Sequence, residues 1–234
     1  MTKEQDRLLN MLNDRKITKE DYRLLSAAVD KKQLFLDRCF QNIINPFKKI
    51  AGLKALLIGI VIIFVMSFLA VIANVYILSP LSILNASAIL NSKMQPNVLL
   101  LLYQNIISWL GLSGLFILVA FTFKQKGIRL IDFFGTVALA KFPYLILTLT
   151  FAILQIVNPG FMHIDITQGL KIEHSMTSTL LISIMSICVI WQIVLYFHAF
   201  KESSGMTGAK LWIGFVVSII ISEMMMYPLT TIFM

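Results

Sequence analysis

Residues 56–78 read LLIGIVIIFVMSFLAVIANVYIL, without one charged side chain. Wound as a helix at about 1.5 Å per residue, such a run covers the roughly 30 Å of hydrocarbon in a bilayer. A helix that is apolar on every side has no face to offer water. The feature therefore predicts a membrane span over 55–78. Four more stretches meet the same test: 98–123, 133–157 (interrupted by Lys141 and Pro143), 176–200 and 211–233. Strands would need short alternating segments closed into a barrel, and these runs are long and unbroken by turn residues. Helices satisfy their own backbone in lipid, so five helices are expected.

Composition agrees. Of 234 residues 58% are hydrophobic and 14% charged, against about a quarter charged in a soluble domain. A formal net charge of +8 is one mark of a nucleic-acid binder, but no basic stripe interleaved with aromatics exists, so that partner is not expected. Twelve of the twenty Lys and Arg precede Ala55, beside seven of the twelve acids. A basic stretch abutting a span meets anionic cytosolic lipid instead.

Charge also sets the orientation. Lys124, Lys126 and Arg129 lie between the second and third spans, Lys201 and Lys210 between the fourth and fifth. The other two connections hold only Lys93 and Lys171. Positive charge favours the inner side, so the N-terminus is expected in the cytosol and the C-terminus outside. Trp212 and Tyr196 read as aromatic anchors at the inner boundary, Tyr76, Tyr103 and Tyr227 at the outer. No cleavable signal peptide is expected, since the start is charged and the first apolar run would itself drive insertion. Cys39 and Cys188 are not expected to pair, nor to ligate metal.

The first fifty residues read as separate material. Leu8, Leu9, Met11 and Leu12 mark one short amphipathic helix, and Asp14-Arg15-Lys16 a turn. Thr18 with Asp21 predicts a capped start to a second helix carrying Tyr22, Leu25 and Ala28 on one face. Residues 1–33 are thus expected as a cytosolic helical hairpin that packs on itself, a copy or a partner, being too short to stand alone. Within 34–50, Leu34, Phe35, Cys39, Phe40, Ile43, Ile44 and Phe47 form an apolar stripe ending at Asn45-Pro46. This is either an amphipathic interfacial helix or the completion of the hairpin unit. Residues 51–234 form the five-helix domain, and the fold class is an all-α integral membrane protein.

From Asn45-Pro46-Phe47 onward the chain resembles the Yip family (Ypt-interacting proteins), in its prokaryotic branch. The resemblance covers about residues 40–233 and rests on two tracts: GIRLIDFFGTVALAKFPYLI, and WQIVLYFHAFKESSGMTGAKLWIGFVV with Trp191, Lys201-Glu202, Gly205 and Ala209-Lys210. The opening LLNMLNDRKITKEDYRLL is similar to small oligomerisation-type hairpins of bacterial proteins, which favours a bacterial cytoplasmic membrane. The resemblance implies five membrane helices with a cytosolic N-terminus. In a eukaryotic host it would imply binding to prenylated small GTPases. The acidic trafficking tail of eukaryotic members has no counterpart here, which argues against that partner.

Two charges fall inside the apolar runs, and such charges are functional candidates. Lys141 stands about 18 Å along its helix from Arg129, and Glu223 about 20 Å from Lys210. The matched depths suggest a Lys141–Glu223 pair, with Gln192 at a nearby level. The alternative is a Lys141 that snorkels to the inner surface while Glu223 is protonated or reaches the outer headgroups. Pro143 marks a helix break. Gly214, Ser218 and Ser222 form a small-residue ridge for close helix packing, and Ala51, Ala55 and Gly59 a second one. His163, Asp165, Glu173 and His174 are ligand types without regular spacing, so no metal and no cofactor are expected. His198 reads as a boundary residue, Met224-Met225-Met226 as packing, and Asn85-Ala86-Ser87 as a formal glycosylation sequon. No GxSxG, HExxH or P-loop occurs, so an enzyme is not expected.

These readings predict a non-enzymatic scaffold or accessory subunit that binds other integral membrane proteins or its own copies, including an exporter or trafficking machinery. The competing class is a small transporter or channel for lipid or ion, built on Lys141, Gln192 and Glu223.

Overall fold

The structure, a computed structural model, describes residues 11, 18, 20–22, 24–25, 43–73, 97–123, 127–157 and 176–231, without the side chains of 176–182 and 226–231. The chain divides into two units, Met1–Pro46 and Phe47–Met234. Most of the expected hairpin, Cys39, the loops holding Lys93 and Lys171, the four loop ligand types and the sequon lie outside the described residues.

In the first unit the cap forms as the Thr18/Asp21 spacing suggests. The Thr18 N–H donates to Asp21 Oδ2 at 3.1 Å and the Asp21 N–H returns to Thr18 Oγ1 at 3.1 Å. The Thr18 hydroxyl also donates to Oδ2 at 2.6 Å. These bonds engage N–H groups that a helix start leaves unpaired. Beyond the cap, Leu24 and Leu25 are exposed.

The second unit is helical, and no strand occurs among the described residues. Its helices are α1 (Gly52–Ile72), α2 (Val98–Thr122), α3 (Leu130–Leu139), α4 (Phe142–Val157), α5 (Met176–Ser204) and α6 (Gly208–Thr231). With α3 and α4 counted together as Leu130–Val157, five helices among the described residues are long and apolar enough to cross a membrane. The expected apolar runs form helices with shifted ends. The first starts at Gly52 and its helix closes at Ala73; the third starts three residues earlier than expected.

Helix α3 is the innermost element. Phe133 and every residue from Gly135 to Lys141 are buried, and α3 packs on α1, α2 and α5. Its closest approach is to α1. A Cβ added to Gly135 would lie 2.7 Å from the Gly52 carbonyl oxygen and 2.9 Å from the Leu56 nitrogen. A Cβ on Gly59 would collide with Ala138. Two glycines, one on each helix, thus let the backbones touch, as small residues do where helices cross closely. Ala55 and Gly59 of the expected ridge are buried in this contact, while Ala51 is exposed.

Two apolar clusters fill the interior. One gathers Phe116, Phe133, Tyr196, Phe200 and Phe215, with the Phe116 and Phe200 rings 4.6 Å apart. The other holds Met66, Tyr144, Phe151 and Cys188. Tyr196 is thereby corrected: it is no boundary anchor but a buried core residue, because it faces the bundle rather than its rim. Trp212 is exposed, against Phe197 at 4.4 Å. Helix α5 ends on Gly205, whose φ of +66° is left-handed and whose N–H donates to the Lys201 carbonyl at 2.9 Å. That is the glycine C-cap geometry. Only Gly205–Met206–Thr207 separate α5 from α6.

Candidate functional site

The third span breaks at Ala140–Lys141. Pro143 has no N–H to offer the Leu139 carbonyl, and its ring crowds that carbonyl. The α-helical ladder gives way to tighter bonds there: the Lys141 N–H donates to Ala138 at 3.2 Å, and the Tyr144 N–H to the Lys141 carbonyl at 3.0 Å. Pro143 then sits in the first turn of α4, where a missing N–H costs nothing.

The break delivers Lys141 to the interior. Its side chain is 1% exposed, enclosed by its neighbours. The ammonium donates to Ser108 Oγ of α2 at 3.4 Å, a long bond. Glu223 of α6, also buried, attracts it through space. The carboxylate of Glu223 also acts electrostatically on Tyr144 of α4 and Tyr196 of α5. Since Tyr144 and Tyr196 belong to different apolar clusters, the charges sit at the junction between the two.

Gln192 joins this layer. It is fully buried, and its Nε2 donates to Tyr196 OH at 2.8 Å. Lys141, Gln192 and Glu223, singled out from sequence on three separate spans, therefore share one electrostatic neighbourhood.

Helix α2 adds what sequence reasoning missed. Gln104, Asn105 and Ser108 fall within about one turn, and all are buried. Asn105 Nδ2 donates to Ser67 Oγ of α1 at 3.1 Å, and the Ser67 hydroxyl donates to the Ile63 carbonyl at 2.8 Å. Among the described residues neither side-chain atom of Gln104 makes a hydrogen bond, and Asn105 Oδ1 and Gln192 Oε1 make none either. A buried polar group left so costs about 1–3 kcal/mol. The signal was present: Gln104, Asn105 and Ser108 share one helical face, while exposed Leu99 and Leu110 lie on the opposite one.

The ridge on α6 is internal packing. Gly214 lies against Val119 and Phe200, where an added Cβ would stand 2.9 Å from Val119 Cγ1. Ser218 and Ser222 are buried, and the Ser218 hydroxyl donates to the Gly214 carbonyl at 2.7 Å. Glu223, one residue past Ser222, is buried as well, so α6 meets neighbours along a broad face. The Thr136 and Ser203 hydroxyls are 3.0 Å apart and join α3 to α5.

No group of three or more His, Cys, Asp or Glu able to hold a metal occurs among the described residues. Comparison with protein-family models, with curated proteins and with solved structures returns no match.

Proposed function

We propose that this chain is a non-enzymatic integral membrane protein, its five apolar helices threaded through a bacterial cytoplasmic membrane with the N-terminus in the cytosol. It serves as a scaffold or accessory subunit that binds other integral membrane proteins, an exporter or trafficking machinery among them. One observation carries the reading: a separate N-terminal unit, with a capped helix start and two exposed leucines beyond it, precedes the apolar body. A short capped helix with apolar side chains in solvent needs a surface to cover them. The resemblance of residues 40–233 to the Yip family supports the same role. A small GTPase is a partner only in a eukaryotic host. Purification of the full chain in mild detergent, beside a variant lacking residues 1–33, tests the proposal. Loss of specific co-purifying membrane proteins from the truncated form supports it; identical partners from both forms overturn it.

A second reading, a small transporter or channel for lipid or ion, is favoured by the buried layer of Lys141, Gln192 and Glu223. Charges held inside hydrocarbon are costly and commonly mark pathways, and broken helices often build the sites. Neutralising Lys141 or Glu223 abolishes flux and spares partner capture under this reading. The scaffold reading expects the reverse sensitivity, to loss of residues 1–33.

A further inference from the structure

We propose that the polar turn of α2 and the Lys141 ammonium hold bound water in the bundle interior, on a site bordered by Gln192 and Glu223. The unengaged groups select the guest. Gln104 presents an amide donor and an amide acceptor, each without a partner among the described residues. Asn105 Oδ1, beside it on α2, and Gln192 Oε1 on α5 are acceptors in the same condition. Lys141 has three N–H donors and one long bond, to Ser108. Ser108 lies one turn from Gln104 on the same helical face.

A bare cation would meet the Lys141 ammonium. An anion would meet amide oxygens and the Glu223 carboxylate. A lipid chain would leave every one of these groups unpaired. A small neutral molecule that both donates and accepts suits them all, and water is the smallest. Such water joins Lys141, through Ser108, to the unengaged amide of Gln104 on one hydrogen-bonded network. The inference holds whether the protein is a scaffold or a transporter.

Hydroxyl-radical footprinting of the full chain in lipid nanodiscs tests it, because radicals form from water where water is bound. Tyr144 and Tyr196 are the reporters, and Phe116 and Phe151, buried in the two apolar clusters, are the dry references. After correction for intrinsic reactivity, the tyrosines are expected to label severalfold faster than the phenylalanines. Gln104→Met, similar in length but apolar, is expected to lower that excess severalfold. Tyrosine labelling no faster than the references, or unchanged in Gln104→Met, overturns the proposal. Should Gln104→Met not fold, cross-peaks between water and the Gln104 side-chain NH2 in the 15N-labelled wild type decide it: their presence supports bound water and their absence overturns it.

Discussion

Lys141, at the gap between α3 and α4, donates to Ser108 of α2 while Glu223 of α6 attracts it through space. Removing either charge takes that attraction from the other, which stays buried, and breaking a buried charge pair costs about 3–5 kcal/mol. Lys141→Met and Glu223→Gln should each destabilise the protein by that order. The double variant Lys141→Met/Glu223→Gln should regain about 1–3 kcal/mol of the combined loss. Reversible unfolding in mixed micelles measures all three, and strictly additive losses would remove the pairing.

The α1–α3 crossing makes a sharper demand on volume. Gly135→Val pushes a branched side chain against the Gly52 carbonyl and the Leu56 nitrogen, and overpacking of this kind costs about 1–3 kcal/mol or more. Gly59→Val meets Ala138 in the same way. Gly114, mid-helix in α2, has nothing within 4 Å of an added Cβ. Gly114→Ala should therefore be neutral or stabilise by about 0.5–1 kcal/mol. Equal losses at Gly135 and Gly114 would contradict the crossing.

Backbone conformation alone is at stake at Gly205. No atom lies within 4 Å of a Cβ there, but φ is +66°. Gly205→Ala should cost about 1–2 kcal/mol for the left-handed geometry, and Gly205→Asn clearly less, because asparagine tolerates it. Thermal unfolding of the two variants separates this cause from packing, which would order them by size.

The cap of the N-terminal unit should respond to acid. Hydrogen bonds from the Thr18 side chain, then its backbone, hold the exposed Asp21 carboxyl below its ordinary value of 3.8. The depressed value stabilises the folded cap above pH 3.8, and that contribution fades as pH falls through the lower folded value. The Thr18 and Asp21 amide resonances should move together in that window. In Thr18→Ala, Asp21 should titrate closer to its ordinary value; an unchanged midpoint would refute the cap's role.

Much of this was readable from residue order. Five apolar runs set five helices, because length and lack of charge suffice for that inference. Lys141 and Glu223 stood out because charge inside such a run is rare. Gln104 and Asn105 were passed over because an amide barely disturbs a run judged by charge, and their faces count only once a neighbour is known. Tyr196 misled for a related reason: a tyrosine near a helix end suits both an interfacial ring and a core hydroxyl, and its burial and Gln192 contact decide. The Gly59 and Gly135 contacts join residues far apart in sequence, which no local pattern links.

That last contact has a bearing on biosynthesis. The surface of α1 is matched at Gly59 by Ala138 and at Gly52–Leu56 by Gly135, residues the ribosome adds only after all of α2. Until then a nascent α1 must wait beside some other surface, be it lipid, the insertion machinery or a chaperone. The slow step in maturation is thus expected when α3 arrives to fill that notch, and chains arrested before residue 135 should be the ones most readily captured by the cell's quality control.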